Sequence, residues 1–427
     1  MPTPIVNTQL DTLNSKVEGQ TTALVAKLQS LNELLEAKNH LDSHRNAALD
    51  LLAADKRAEL VTNVAEVAQL CKNGEILEVM DYGDEVHPEW VDGSTHYNPP
   101  MNLCHEADAL LEDAESIHGA FFEWDKTMPF GVPYDPPEAI YHFAGTEGAG
   151  TFHISIGMAY GNGWKTTKHI QFTLNVAPAE GDQLFINCAT SSDTDPTNGR
   201  TWNLYAKGST TSKDTGTTSD GTGGTNLGST DSTDVGKTNG RVNAPQRIVY
   251  GYNRWSQSFL RQYLNATAAS GWYTAANPWD RPDASIIAKA GFLNGYGAEV
   301  YAYFKPIKVV TVACNADSNV EDVTYDRVFL SSLEQMYCVP QFSGKEGEYW
   351  EYYKRLLGRT APAPTSATYA RLIKYALNAA TSAQNCWRRS ANRYSAHHAW
   401  FVYASGGVST GNAGNALRCA PSVFISD

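Results

Sequence analysis

The segment at the carboxyl end, residues 385–427, constrains the fold most strongly, because large apolar residues alternate there with aromatic and small polar ones. In a β-strand, successive side chains point to opposite faces. Trp400 and Val402 would then lie on one face of a strand, and Phe401 and Tyr403 on the other. The alternation predicts a strand with one face in the core and the other displayed. The alternative is that Phe401 and Tyr403 form a second buried face.

Two sets of residues can be separated in this segment. The first set would fix the path of the backbone by packing, and its scaffold members are Trp387, Trp400, Val402 and Arg418. The second set is dominated by Tyr, Ser, Gly and Asn, which is the composition of antibody binding loops. Its members, the thirteen candidate binding residues, are Tyr394, Ser395, His397, His398, Phe401, Tyr403, Gly407, Ser409, Thr410, Gly411, Asn412, Gly414 and Asn415. We predict that they form a recognition surface in which the aromatic members supply most of the binding energy.

The candidate binding residues also share a genetic property. Each can be reached from the asparagine codon AAC by changing only its adenines, whereas Lys, Glu, Gln, Met and Trp, which cannot, do not occur among them. In this respect the segment resembles the adenine-targeted variable region of diversity-generating retroelement proteins, a group that includes phage major tropism determinants. Four upstream segments resemble the framework of a phage-associated domain related to the C-type lectin fold: residues 250–258, 260–265, 290–293 and 326–334.

The resemblance implies an α+β fold, with a C-type lectin-like domain whose last strands present the variable surface. It also implies a function, that of a receptor-binding protein that determines host range. Such a protein is carried at the tail tip or tail fibre of a phage virion after synthesis in the host cytoplasm. Its partners would be a bacterial cell-surface receptor, either protein or glycan, and other virion tail proteins. Binding would be its whole activity, without catalysis, cofactor or metal.

Two enzyme classes and a bacterial lectin are the alternatives. A tail-fibre polysaccharide depolymerase needs two suitably spaced carboxylates. The acidic residues that we interpret instead as a solvated surface are Asp81, Asp84, Glu85, Glu123, Asp125, Asp135 and Glu138. A relative of the formylglycine-generating enzyme would need a reactive cysteine pair, which would have to be Cys386 with Cys419. A surface lectin would need an export signal or a lipid-anchored cysteine near residue 20, and the first cysteine is Cys71.

Charge and cysteine content oppose further classes. The net charge of -13 and the pI near 5.3 oppose binding to nucleic acid, which requires clustered Lys and Arg. The first residues lack the basic and apolar regions of a signal peptide, and no apolar run approaches the roughly 20 residues of a membrane helix. The 7 cysteines are spread without CxxC spacing. We therefore predict buried free thiols, although a bridge between Cys386 and Cys419 stays open.

The first 74 residues have the composition of a long helix, because residues 8–73 contain no proline and a single glycine. An apolar stripe follows this region: Leu10, Leu13, Val17, Leu24, Leu28, Leu31 and Leu35, then Leu49, Leu52, Leu60, Val64, Val67 and Cys71. One helix cannot bury so narrow a stripe alone. We therefore predict a coiled-coil stalk over residues 1–74 that joins subunits into a homotrimer and attaches them to the virion, ending near Gly74. An antiparallel hairpin within one subunit is the alternative.

Residues 75–427 would form the lectin-like domain. Short strand patterns separated by Gly, Pro and Asn turns predict a loop-rich, mainly antiparallel arrangement. Residues 103–117 and 367–379 are predicted to be helical, and residues 299–304 to form a strand. Residues 208–240 are nearly all Gly, Ser, Thr, Asp and Asn. This insertion is predicted to be flexible or held at a surface; alternatively, it is an ordered loop wrapped around a neighbouring subunit.

No sequence motif for catalysis or metal binding is complete. His105 begins a His-Glu-Ala-Asp-Ala sequence that lacks the second histidine of a zinc-protease helix. His397 and His398 would point to opposite faces of a strand and so would not bind one ion together. The tripeptides with which C-type lectins bind calcium and sugar, Glu-Pro-Asn, Gln-Pro-Asp and Trp-Asn-Asp, do not occur. Calcium-dependent sugar binding is therefore not implied by the fold resemblance.

Overall fold

The structure is a computed structural model that describes residues 4–60, 62–156, 168–186, 199–230, 244–338 and 345–427. Its contacts divide the chain into two compact units. One unit ends at Glu59, and the other runs from Leu60 to Asp427.

The described part of the chain contains short strands and a small number of helices. The helices are α1 (Pro4–Leu60), α2 (Val64–Asn73), α3 (Ile76–Val79), α4 (Ala244–Tyr250), α5 (Phe259–Asn265), α6 (Ala284–Ile287), α7 (Ala298–Tyr301) and α8 (Glu351–Leu357). The strands are β1 (Glu85–Val86), β2 (Trp90–Asp92), β3 (Thr95–Tyr97), β4 (Met101–Leu110), β5 (Ser116–Trp124), β6 (Val132–Pro133), β7 (Tyr141–His142), β8 (Gly150–Ile156), β9 (Lys168–Leu174), β10 (Gln183–Ile186), β11 (Thr201–Tyr205), β12 (Ser212–Thr217), β13 (Ser219–Asp220), β14 (Thr225–Thr230), β15 (Ile307–Val312), β16 (Glu321–Asp326), β17 (Val328–Phe329), β18 (Lys374–Ala376), β19 (Ala379–Gln384), β20 (Cys386–Ala391), β21 (His398–Val402), β22 (Val408–Asn412), β23 (Ala416–Cys419) and β24 (Ser422–Ile425).

The first unit is helical along its described length, as part of α1. Good helix formers dominate this region and no proline interrupts residues 8–59. The exposed apolar side chains of this helix are Leu10, Leu13, Val17, Leu24, Val25, Leu28, Leu31, Leu34 and Leu35. They include the first part of the predicted stripe. Among the described residues, no helix is long and apolar enough to cross a membrane.

The second helix, α2, belongs to the larger unit. Asn63 caps it by accepting a 3.2 Å hydrogen bond from the amide of Glu66. Gly74 ends it in the left-handed conformation, at φ 72, which confirms the predicted end of the helix. The side chains of Val67 and Cys71 lie in the main core of this unit. The division between the units therefore falls at Leu60 rather than at residue 74.

The central sheet of the larger unit has the order β1-β4-β5-β24-β17, and all its neighbours pair antiparallel. Phe122 and Trp124 of β5 are buried, and the register places Val423 of β24 opposite Phe122. The end of the chain is thus a central strand, so the carboxyl-terminal framework is part of the main core.

The predicted helix over residues 103–117 is wrong, because these residues form most of β4, a turn and the start of β5. Alanine, leucine and glutamate give the segment helix propensity. Its register with β5 nevertheless places Leu103 opposite Phe122 in the core, and Ala114 adopts φ 67 in the turn. Pairing with buried neighbours overrides intrinsic propensity here. The His-Glu-Ala-Asp-Ala sequence therefore lies on a strand.

Two shorter secondary-structure predictions are also wrong. Residues 299–304, predicted as a strand, contain most of α7. Residues 367–379, predicted as a helix, contain one 3₁₀ turn, Ala370–Leu372, and enter the hairpin of β18 and β19. Apolar residues in runs this short do not distinguish a helical period from a strand period.

A separate hydrophobic core joins the sheets β12-β11-β10-β7 and β13-β9-β8-β14. It includes Phe152, Trp202 and Leu227. The described part of the predicted insertion, residues 208–230, contains β12, β13 and β14, which pair with β11, β9 and β8. This part is therefore held by the sheets of its own chain, in which β12, β13 and β14 are edge strands. Residues 231–240 of the insertion lie outside the described residues.

A buried ionic cluster connects β5 with β20. The carboxylate of Glu123 accepts two hydrogen bonds of 3.1 Å from Nη1 of Arg388 and lies 3.2 Å from Nζ of Lys374. The hydroxyls of Tyr353 and Ser422 also donate to it. The interpretation of Glu123 as a solvated surface acid is wrong, because β5 carries this residue into the core.

Candidate binding surface

The carboxyl-terminal sheet carries the predicted surface. Its strand order is β22-β21-β20-β23-β6, so β22 is an edge strand. The side chains of Trp387, Trp400 and Val402 are buried. Arg418 is partly exposed, and its Nη1 donates a 3.1 Å hydrogen bond to the carbonyl of Met128. The four scaffold candidates thus attach this sheet to the rest of the larger unit.

The register of β21 and β22 divides the candidates between two faces. Directly paired residues of antiparallel strands share a face, and side chains alternate along each strand. One face carries Phe401, Tyr403, Ser409 and Gly411, and the other carries His398, Trp400, Thr410 and Asn412. The candidates therefore form two patches around one edge strand rather than a single patch.

The first face forms the surface that we term the Tyr403 patch, in which Tyr403 and Gly411 lie against the ring of Phe401 and Ser409 is its cross-strand neighbour. Tyr403 is 42% exposed, whereas Phe401 is 4% exposed. The centroid of the Phe401 ring is 4.5 Å from that of Tyr403 and 5.8 Å from that of Trp387, in both cases edge to face. The predicted display of Phe401 is wrong, because these two rings enclose it. Phe401 is instead the buried floor of the patch.

The two adjacent histidines have different environments. His397 is 2% exposed and its ring stacks on Tyr250 at 4.9 Å. Burial, and then the neighbouring His398, lower the pKa of His397 to about 3, so its ring is neutral. His398 is half-buried and its Nε2 lies 3.0 Å from Oδ1 of Asn412. The predicted display of His397 is wrong.

The relative orientation of these histidines also differs from the prediction. Their ring centroids are 4.1 Å apart instead of lying on opposite faces. The reason is that β21 begins at His398, so His397 lies in the preceding turn, where strand alternation does not apply.

The remaining candidates vary in exposure: Tyr394 is 77% exposed and Asn415 is exposed; Ser395, Ser409, Thr410, Gly411, Asn412 and Gly414 are partly exposed; and Gly407 is buried. The predicted display of Gly407 is therefore wrong, because the chain around Thr368 forms a bridge with it. Gly414 has little room for variation. Its amide donates a 2.6 Å hydrogen bond to the carbonyl of Tyr250, and an added Cβ would lie 3.0 Å from Cδ of Pro137.

Asn253 is not among the candidate residues, yet it holds the turn between β20 and β21. It is fully buried, and its Nδ2 donates hydrogen bonds of 2.6 Å to the carbonyl of Ser395 and 2.7 Å to that of His398. The exposed Tyr394 lies in the same turn. The only sequence signal for Asn253 is its place in the resembling segment 250–258, since periodicity does not show which carbonyls a buried amide meets.

Replacing Asn253 with alanine is expected to lower the free energy of unfolding by about 1–3 kcal/mol, because buried carbonyls lose their donor. The turn should also exchange its amide hydrogens faster. Urea unfolding and hydrogen–deuterium exchange of residues 392–397 would measure the two effects. Asn73→Ala, at an exposed position, is the control and should change stability by less than about 0.5 kcal/mol. Unchanged exchange in this turn would contradict the assigned role.

The described cysteines are buried free thiols, as predicted: Cys71, Cys104, Cys314, Cys338, Cys386 and Cys419. Cys188 lies outside the described residues. Cys386 and Cys419 lie on the neighbouring strands β20 and β23 but form no disulfide. Burial raises the pKa of both thiols. Since a reactive cysteine requires its thiolate, this environment does not favour the enzyme alternative that depends on the pair.

Comparison with known families gives one match. A family model described as a domain of unknown function (DUF6273) matches residues 233–423. The chain is thus similar to that domain over the part that contains segment 250–258 and the strands of the candidate surface. No curated protein and no solved structure matches the chain.

Proposed function

We propose that this protein is a phage tail receptor-binding protein, which adsorbs to a bacterial cell-surface receptor through the variable surface of a C-type lectin-like domain. One observation carries the proposal. The exposed side chains of Tyr394 and Tyr403 lie beside a framework in which Trp387, Trp400 and Phe401 are buried. The protein acts at the tail tip or tail fibre by binding alone, without catalysis or a cofactor.

The exposure pattern separates what holds the fold from what contacts a partner. Exchange of exposed side chains usually changes stability by less than about 0.5 kcal/mol, whereas changes in a packed core cost more. Tyr403, Ser409 and Thr410 can therefore vary while Trp387 and Trp400 keep the strands in place. Tyrosine is suited to the contact because it offers large area with few rotors to immobilise.

Multiple copies would strengthen binding at such a surface. The exposed leucines of α1 fit a coiled coil that joins subunits into a homotrimer and connects them to other virion tail proteins. When linked sites bind together, avidity exceeds the affinity of one site by roughly 10²–10⁴-fold. A variable site can therefore be weak in each copy and still hold a virion on a cell.

Replacing Tyr403 with alanine is expected to weaken binding of the full chain to receptor-bearing cells by about 30-fold, since an interface anchor contributes about 2 kcal/mol or more. The melting temperature should fall by a few degrees at most, because Tyr403 is 42% exposed, although its ring covers part of Phe401. The measurement is binding of the fluorescently labelled full chain to a panel of bacterial strains, together with a thermal melt followed by circular dichroism.

Tyr375 offers a matched control, because this β18 tyrosine is 41% exposed and lies outside the candidate residues. Tyr375→Ala should bind cells as the unaltered protein does. Exchange of residues 394–415 between sequence variants should in turn change which strains are bound. Equal losses for the two tyrosine variants, or an unchanged strain preference after the exchange, would contradict the proposed function.

A further inference from the structure

Three buried carboxylates face one another behind the candidate binding surface. Asp135, Glu138 and Asp280 each offer one oxygen, and these oxygens all lie within 4.8 Å of one another. All three side chains are buried. The interpretation of Asp135 and Glu138 as solvated surface acids is therefore wrong, because the turn after β6 carries both into the interior.

The guanidinium of Arg247 pairs with Glu138, one of the three carboxyl groups of this cluster. Arg247 donates hydrogen bonds of 3.0 Å from Nε and 2.7 Å from Nη2 to Oε1 of Glu138. Asp135 accepts a hydrogen bond of 3.0 Å from the backbone amide of Phe259. In the described part of the chain, no Lys, Arg or His side chain forms an ion pair with Asp135 or Asp280. Asp135 and Asp280 thus have no ion-pair partner among the described residues, and burial, followed by a neighbouring carboxylate, raises the pKa of each.

Independent evidence for a ligand comes from oxygen atoms without partners. Asp280 is 5% exposed, and its Oδ2 accepts the amide of Asn277 at 2.9 Å. Its Oδ1 has no hydrogen-bond partner among the residues that the structure describes. The buried hydroxyl of Tyr273 also has none. Burial, and then the charges of Asp280 and Asp135, raise the pKa of Tyr273, so these two carboxyl groups lie within electrostatic range of its hydroxyl. A buried polar atom without a partner costs about 1–3 kcal/mol, and more when it is charged.

We propose that Asp135, Glu138 and Asp280 bind a divalent cation, and that Ca²⁺ is preferred. Calcium takes carboxylate and other oxygen ligands at 2.3–2.6 Å in irregular geometries, so oxygens up to roughly 5 Å apart can share one ion. Magnesium demands a near-octahedral shell and usually retains several waters, which a buried site beside Arg247 and Tyr273 accommodates poorly.

The position of the site gives the cation a structural role. The amide of Asp135 donates a 3.1 Å hydrogen bond to the carbonyl of Ala413, between β22 and β23. The amide of Glu138 donates a 3.2 Å bond to the carbonyl of Arg247. An ion at the cluster would therefore stabilise the residues that lie behind the segment containing Asn412 and Gly414. The ion itself would not contact a receptor. This role goes beyond the proposed function, and it also differs from calcium that bridges to a sugar.

Calcium titration of the full chain tests the proposal. After treatment with a chelator, the protein should bind about one Ca²⁺ per chain by calorimetry. Saturating CaCl₂ should raise its melting temperature by about 3 °C or more, and MgCl₂ should raise it less. Absence of calcium binding, with the same melting temperature in chelator and in CaCl₂, would overturn the proposal.

Isosteric variants assign the site. Asp280→Asn should weaken calcium binding at least tenfold and abolish the effect of CaCl₂ on melting. In chelator this variant should melt close to the temperature of the unaltered protein, because the amide keeps the size of the side chain and adds no buried charge. Asp220→Asn, on an exposed part of β13, should behave as the unaltered protein. Asp135→Asn is the second variant should Asp280→Asn fail to fold, and retention of full calcium affinity in the folded variant would refute the assignment.

Discussion

Replacing Glu123 with glutamine is expected to lower the free energy of unfolding by about 3–5 kcal/mol, which is the cost of leaving buried charges without their partner. Glu123 is fully buried and is the carboxylate that both Arg388 and Lys374 contact. The glutamine variant keeps the size of the side chain but leaves two buried cations opposite a neutral amide. Because packing is conserved in this variant, the loss of stability measures the contribution of the charge.

The pH dependence of stability provides a second measurement on the same residue. Burial alone would raise the pKa of Glu123, but Arg388 and then Lys374 lower it from 4.5 to about 2. Because this pKa is lower in the folded state than in the unfolded state, its stabilising effect is present above about pH 4.5 and is lost as the pH falls towards 2. The difference in stability between the unaltered protein and Glu123→Gln should shrink over that range.

Urea unfolding at pH 7 and at pH 3 measures both effects. Glu351→Gln is the matched control, since Glu351 pairs with Lys354 at the surface of α8 and such pairs contribute little. Its unfolding midpoint should remain close to that of the unaltered protein at both pH values. A loss below about 1 kcal/mol for Glu123→Gln at pH 7 would show that the cluster does not depend on this carboxylate.

Features with a local cause were predictable from the sequence. The end of α2 at Gly74 depends on one residue that adopts a left-handed conformation without strain. The burial of Trp387, Trp400 and Val402 follows from their size and spacing. The turn at Ala114 and the strand β4 were not predictable, since only pairing with β5 overrides the helical propensity of residues 103–117.

The candidate surface also depends on contacts between distant residues, which the sequence pattern does not define. Alternation placed Tyr403 and Phe401 on one face, but whether a side chain on that face is covered depends on its neighbours, and Trp387 and Tyr403 enclose the Phe401 ring. The position of His397 depends on where β21 begins, which periodicity does not define. The cluster of Asp135 and Asp280 joins residues distant in sequence, so no spacing rule reveals it.

Replacing Leu24 and Leu31 with glutamate is expected to separate the subunits of the proposed trimer. Leu10, Val17, Leu24 and Leu31 recur every seventh residue, which is the spacing of a coiled-coil seam, and all four are exposed on α1. Glutamate is also a good helix former, so α1 should remain helical. Its charge would lie in the apolar interface between the helices of the coiled coil. Apparent affinity for receptor-bearing cells should then fall by roughly 10²–10⁴-fold through loss of avidity.

Light scattering after size-exclusion chromatography measures the mass, and cell binding measures the avidity. Thr22→Glu with Gln29→Glu is the control, because these positions have the same seven-residue spacing on a different side of the helix. That variant should keep the trimeric mass and the full affinity. A monomeric mass for the unaltered protein would reject the stalk. Because Tyr403→Ala should weaken binding at constant mass, the two variants separate the contribution of the surface from that of valency.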